Sequence, residues 1–320
     1  MARKPDNPLT RAVAAPAAWV TRRERGSFTM LRIMTFLSVH LGRSVGRCIL
    51  YIVAAYFFAF APTARRDARN YLRRALGREP RAIDRFRQVL SFASVIHDRI
   101  FLVNDRFDLF DISIEGESLV RGALSAGNGA FLMGAHLGSF EVTRAIGRRQ
   151  PSLRLVLAMY EENARELNAM FAAINPSAKP EIIGLGHMEA MLKMRECLER
   201  GAFVGLLGDR SLRDESGQAV NFLGERAHFP TGAMRVAAIL HRPVIFMAGL
   251  YRGKNRYHVV FEPLADFSTT PAGQRQAAVQ GAIERYVALL EKYCRSDPYN
   301  WFNFHDFWRA ADKTLLDAPS

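Results

Sequence analysis

Cysteine is scarce and scattered in this chain. Its three cysteines, Cys48, Cys197 and Cys294, form no C-x-x-C pair, which argues against a disulfide framework and against a thiolate zinc site, and fits a reducing compartment. Acidic residues are outnumbered, with 31 Asp and Glu against 44 Lys and Arg and a formal net charge of +13. Such an excess draws anionic partners, whether a membrane surface, an acidic protein or nucleic acid, and does not choose among them. Several chemical signatures are also missing: the G-x-S-x-G elbow, the G-x-x-x-x-G-K-S/T phosphate loop, H-E-x-x-H and G-x-G-x-x-G. Gly184-Leu-Gly186 supplies only the opening of the last.

What is present is an apolar chain with charge to spare. With 320 residues, 49% of them hydrophobic and 23% charged, it can bury a sizeable core and is neither disordered nor a multi-pass membrane protein. The stretch from Gly129 to Glu141 organises the rest. Phe131 to Ala135 is apolar without alternation, and Gly127 and Gly129 punctuate its start, so it reads as a buried strand. From Glu141, the spacing of Val142, Ala145 and Ile146 is helical, which places a strand-to-helix turn between His136 and Phe140. On one continuous helix His136 and Glu141 would point about 140° apart. With the histidine in the turn and the glutamate in the first helical turn, the carboxylate can reach back to the imidazole, as a general base with an orienting acid requires. The plainer alternative is a packed histidine, with a glutamate that only complements the helix dipole.

Residues 1–26, rich in Pro, Ala and Arg, read as a loose basic arm. Residues 27–62 form an apolar helical segment in which Arg32, Arg43 and Arg47 fall within about 60° of one another, with His40 close by. Arginines flank both ends, Arg22, Arg23 and Arg25 before and Arg65, Arg66, Arg69, Arg73 and Arg74 after, so the charges give no orientation for a crossing. The segment reads as an interfacial helix dipping into an anionic leaflet, with a core helix covered by the catalytic domain as the alternative. Residues 63–310 then form the main domain and 311–320 a tail. Gly77 and Pro80 divide two helices, Phe110 to Glu115 suits an edge strand, and strand and helix alternate from Leu153 to Tyr293. The expected fold is α/β, with a central, mostly parallel sheet flanked by helices and an N-terminal membrane-associated helix.

Three later segments bear on a site. Asp209 and Arg210 follow a buried strand, Phe203 to Leu207, where a crevice should open; an exposed ion pair is the alternative. Phe222-Leu-Gly224 and Phe229-Pro-Thr-Gly232 precede a helix whose start could offer N–H donors, or form an ordinary loop. Tyr299 to Trp308 is dense in aromatics, suited either to an acyl-chain groove or to a cap over the core.

Together these pieces resemble the late lipid A (lauroyl/myristoyl-type) acyltransferases, within the wider glycerolipid acyltransferase superfamily, over about residues 27 to 310. The resemblance rests on the N-terminal apolar helix, the His-x4-Glu of His136 and Glu141 after a Gly-Ala strand end, Asp209 after a later strand, the Phe-Leu-Gly, and the C-terminal Trp/His segment. It implies transfer of a fatty acyl group from acyl carrier protein or coenzyme A to a hydroxyl of a lipid or glycolipid. The place would be the cytoplasmic face of a bacterial inner membrane. Tyr160-Glu161 stands where the family has Tyr-Arg, which passes a basic role to Arg165 or Arg210, and Pro230-Thr231-Gly232 departs from the glycerol-phosphate enzymes.

In the expected mechanism His136 deprotonates the acceptor and Glu141 fixes its tautomer. Backbone N–H groups from Gly138 and Ser139 onward, or Arg210, face the oxyanion, Asp209 and Arg165 contribute to substrate binding, and Phe229, Trp301 and Phe302 line the acyl groove. No metal or cofactor is needed beyond the thioester donor, and no nucleic acid is expected. The rival readings are a basic peripheral protein without catalysis, and a thioester hydrolase with water as the acceptor.

Overall fold

The structure, a computed structural model, describes residues 28–145, 147, 152–210 and 217–308. The expected arm 1–26, the tail 311–320 and Ile146 lie outside the described residues, as do the side chains of Arg32 and His40. The first helices are α1 (Phe28–Phe60), α2 (Pro62–Leu76) and α3 (Ala82–Val103). Gly77, left-handed at φ 63, caps α2, and Pro80 keeps α3 from starting early. Next come β1 (Asp111–Glu115), α4 (Glu117–Ala126), β2 (Ala130–Gly134), the short α5 (Phe140–Thr143), β3 (Leu155–Tyr160), α6 (Glu161–Ile174), β4 (Ile182–Leu185), α7 (Met188–Glu199) and β5 (Phe203–Leu207). The chain continues with β6 (Gln218–Phe222), β7 (Glu225–Phe229), α8 (Gly232–Ile239), β8 (Pro243–Tyr251), β9 (Arg256–Asp266) and α9 (Arg275–Ser296).

The sheet is mostly parallel, as expected. Its seven strands run in the order β1-β9-β8-β2-β5-β3-β4, with β1 at an edge. The pairs β2–β8, β2–β5, β5–β3, β3–β4 and β1–β9 are parallel, and only β8–β9 is antiparallel. Strand β2 sits in the middle and is buried along its whole length. Its side chains alternate between two cores: Phe131 and Met133 pack with α2, α7, α8 and α9, and Ala130 and Leu132 with α3, α4 and α6. Burial on both faces is why the strand reads as an unbroken apolar run.

One element differs from expectation. Phe222-Leu-Gly224 does not lead into a helix but closes the two-stranded hairpin β6–β7. Leu223 (φ 53) and Gly224 (φ 89) both take the left-handed conformation that a two-residue hairpin turn needs. A leucine is an unusual occupant of such a position; here it is buried, and its N–H donates to Glu291 Oε2 at 2.6 Å.

Helix α1 is broken at Gly42 (φ 80, ψ 165), and the stretch from Gly42 to Phe60 is long and apolar enough to cross a membrane. One face packs against α3. Gly46, Leu50 and Ala54 are buried there, and a Cβ at position 46 would overlap His97. The other face, with Tyr51, Ile52, Tyr56, Phe57 and Phe60, is exposed, so α1 is not a covered core helix. Its two described stripe arginines turn inward. Arg43 forks onto the fully buried Asp98 of α3 at 2.8 and 2.9 Å, Arg47 lies 4.0 Å from the same carboxylate, and Tyr257 donates to it at 2.9 Å. Replacing Asp98 by Ala strands two half-buried guanidinium groups, and urea denaturation should register a loss of about 3–5 kcal/mol. Arg69→Ala, which breaks an exposed pair with Glu79, should cost less than about 1 kcal/mol in the same assay.

Candidate active site

Strand register builds the site. Gly134 of β2 pairs with Leu207 of the adjacent parallel strand β5, and the Gly208 N–H donates to the Gly134 carbonyl at 2.9 Å. Two residues further along both chains, His136 and Asp209 meet at the carboxyl ends of the strands, where open α/β sheets place their crevices. His136 Nδ1 lies 2.9 Å from Asp209 Oδ1, and the backbone N–H of His136 donates to Asp209 Oδ2 at 3.0 Å. The indole N–H of Trp301 gives that same Oδ2 a further bond at 3.1 Å. Asp209 is fully buried, while the imidazole remains 34% exposed and so open to a substrate.

Burial by itself would raise the carboxyl pKa of Asp209. The neighbouring His136, its two hydrogen bonds and Arg210 outweigh that and hold the pKa well below the usual range. An ionised carboxylate only accepts, so a neutral ring carries its proton on Nδ1 and leaves the lone pair on Nε2.

The turn after His136 is pressed onto β8. Gly138 is left-handed (φ 72), and a Cβ there would overlap the carbonyl of Gly249, so only glycine fits. The Gly138 N–H donates to Asn300 O at 2.8 Å and the Ser139 N–H to Gly249 O at 2.7 Å. Both donors are thus committed within the fold, a correction to their expected role at an oxyanion. Ser139 instead caps α5, accepting from the Val142 N–H at 3.3 Å.

Glu141 also differs from expectation. The carboxylate on the imidazole is Asp209. Glu141 is buried, accepts from Ser139 Oγ at 3.2 Å and pairs with Arg99 of α3 at 2.6 Å. The first turn of α5 faces α3, so its carboxylate is drawn to the guanidinium there.

Arg210 lies beside the dyad and donates to Phe302 O at 2.9 Å, while Phe302 N–H donates to His136 O at 2.8 Å. Arg165 is exposed on α6, and none of the polar contacts of the His136 cluster among the described residues involves it. Phe229 and Trp301 are not groove walls. Both are fully buried in an aromatic cluster, in which Trp301 meets Tyr71, Phe222 and Phe307 at 4.9 to 5.4 Å. Phe302 packs in the opposite core against Phe92, which is 37% exposed. A small crevice beside His136 is lined by Ala135, Leu137, Phe140, Leu207, Met247 and Gly249 among others. Among the described residues no cluster of His, Cys, Asp or Glu is suited to a metal ion.

Asp209, expected from the sequence as a substrate contact, is instead the partner of the histidine. Trp301, expected as a groove wall, is instead a donor to that carboxylate. The equal offset of His136 and Asp209 from their strand ends was the available signal, usable once β2 and β5 are known to be neighbours. Because its native pKa is depressed, Asp209 stabilises the fold fully above its unfolded value of about 3.9, and that contribution is lost as the pH falls below it. Asp209→Asn should therefore lower the urea midpoint most at neutral pH, with the gap to wild type closing below about pH 4.

No curated protein sequence matches this chain. A family described as bacterial lipid A biosynthesis acyltransferase does match, over residues 21–310, which takes in every described element and the whole His136 cluster. An acyltransferase family sets aside the reading of a basic protein without catalysis. The chain belongs to the bacterial lipid A biosynthesis acyltransferase family and is an acyltransferase.

Proposed function

We propose that this acyltransferase moves a fatty acyl group from a thioester, carried by acyl carrier protein or coenzyme A, to a hydroxyl of a lipid A-type glycolipid at the cytoplasmic face of the inner membrane. The observation that carries this reading is the one-third-exposed imidazole of His136, fixed at Nδ1 by a buried ionised carboxylate. Nε2 takes the proton of the acceptor hydroxyl as its oxygen attacks the thioester carbonyl. The tetrahedral oxyanion draws on the positive charge of Arg210, because the Gly138 and Ser139 N–H groups are already engaged. Collapse breaks the C–S bond, and the leaving thiolate recovers the proton from the imidazolium. The products are an ester and a free thiol, with no covalent enzyme intermediate and no metal.

The proposal extends to membrane attachment. The exposed apolar face of α1 ends at Phe60, and the outward-facing Arg66, Arg69 and Arg73 of α2 follow at helical spacing. An apolar stripe bordered by arginines suits a helix lying at an anionic interface. Arg43 and Arg47 hold this helix against Tyr251 and Lys254 at and just past the carboxyl end of β8, the end of the sheet from which His136 emerges.

His136→Ala should reduce acyl transfer by about 10²–10⁴-fold, read by mass spectrometry of lipid product with carrier-protein and coenzyme A donors in parallel. Turnover near that of wild type would overturn the base assignment, and free fatty acid as the sole product would indicate hydrolysis. Ile52→Ser with Phe57→Ser and Phe60→Ser leaves the packed face of α1 intact. This triple variant should lose sedimentation with anionic vesicles; retained binding would remove α1 as the attachment.

A further inference from the structure

The segment from Tyr299 to Asn303 does more than cover a core. It touches both members of the dyad and the turn between them: Phe302 N–H on His136 O at 2.8 Å, Asn300 O on Gly138 N–H at 2.8 Å, and Trp301 Nε1–H on Asp209 Oδ2 at 3.1 Å. It is itself fixed from two sides. Gln88 of α3 donates to Trp301 O at 2.8 Å, and Asn300 exchanges bonds of 2.7 and 3.0 Å with the backbone of Tyr251. Trp301 is fully buried, and its ring is locked between Tyr71, Phe222 and Phe307.

A tryptophan in an apolar cluster needs a partner for its single N–H, and the partner here is the carboxylate that orients the base. We infer that Trp301 is a positioning residue for acyl transfer: its indole N–H fixes the rotamer of Asp209 and shares its charge, so that Oδ1 stays on His136 Nδ1. The inference rests on the general-base reading above and goes beyond it, because it assigns a catalytic consequence to a side chain that touches no substrate.

The sign of the effect follows from the charge. Oδ2 divides its lone pairs between the His136 backbone N–H and the indole. Removing the indole N–H leaves more of the negative charge to act on the imidazolium, which is then harder to deprotonate. The other groups facing this carboxylate are Arg210 beside it, the buried phenol of Tyr286, which donates to Gly134 O, and the buried thiol of Cys294 next to Tyr71. Burial pushes the Tyr286 phenol and the Cys294 thiol up, so both stay neutral through the working range. The Glu141–Arg99 pair flanks the turn and is unchanged by the substitution.

The test is Trp301→Phe, which keeps a buried aromatic ring and deletes the N–H. The expected result is a fall in kcat of about tenfold, the share of a hydrogen bond to a charged group, with KM for the donor little changed. The acid limb of the pH–rate profile should move to higher pH. In an Asp209→Asn background the same substitution should have no further effect on kcat, because the charge it served is gone. Enzyme labelled with ¹⁵N-indole provides a measurement that does not depend on Trp301→Phe folding, and the same spectra report whether Asp209→Asn is folded. The wild-type indole resonance at Trp301 should shift downfield relative to the same resonance in Asp209→Asn. An unchanged pH profile, additive losses in the double variant, or an indole signal indifferent to Asp209→Asn would each overturn the inference while wild-type transfer continued. Absence of transfer by wild type itself would instead overturn the general-base reading.

Discussion

One buried carboxylate fastens three distant regions of the chain. Asp209 accepts from the ring and backbone of His136 and from the indole of Trp301, so it joins the exit of β2, the exit of β5 and the C-terminal segment. A buried carboxylate without such partners would be driven to protonate. With them it stays charged, and a charged Asp209 permits only one tautomer of the histidine. The chemistry proposed for His136 and the folding of the C-terminal segment over the sheet therefore depend on the same set of bonds.

Helix α3 has a comparable role in the layer outside the sheet. Asp98 and Arg99 are adjacent, yet they serve different neighbours: Asp98 receives Arg43 and Tyr257, and Arg99 holds Glu141 in the turn after His136. At its other end Gln88 binds the Trp301 carbonyl and Phe92 packs on Phe302. The helix thus fixes α1 on one side and the turn after His136 on the other. Through Arg43 and Arg47, the start of the apolar stretch of α1 is also tied to Tyr251 and Lys254, at the carboxyl end of β8.

Most of the fold was legible because its signals are local. Phe203 to Leu207 is a strand over the residues expected, since a short unbroken apolar run specifies a buried strand. Gly77 and Pro80 mark their helix ends for equally local reasons. The hairpin β6–β7 escaped because its turn uses Leu223, whose left-handed conformation is sustained by burial and by Glu291, both remote in sequence. At the site, His136 and its strand-to-helix turn were readable, whereas the identity of the partnering carboxylate was not. The spacing of five residues favoured Glu141, but the short Gly138–Ser139 turn directs that side chain toward Arg99. The carboxylate that does reach the ring comes from 73 residues away, brought there by a strand pairing the sequence does not encode locally.

The net charge of +13 also changes meaning once the arginines are placed. Read along the chain, Arg43 and Arg47 belong to a basic stripe that would face lipid. In the fold they are turned inward, Arg43 with only 14% and Arg47 with 21% of the side chain exposed, against a carboxylate with none. Arg99 and Arg210 are likewise engaged around the turn after His136, and Arg74 lies over the Trp308 ring 4.2 Å from its centroid. Among the described residues of α2, Arg66, Arg69 and Arg73 face outward next to the apolar face, and Arg69 and Arg73 pair with Glu79 and Glu225 respectively. Among the described residues, the proposed attraction to an anionic leaflet therefore draws on a few local side chains beside an apolar stripe. Exposed ion pairs of this kind are worth little on their own. In the proposed attachment the apolar face of α1 then supplies most of the binding, with the arginines setting which surface it selects.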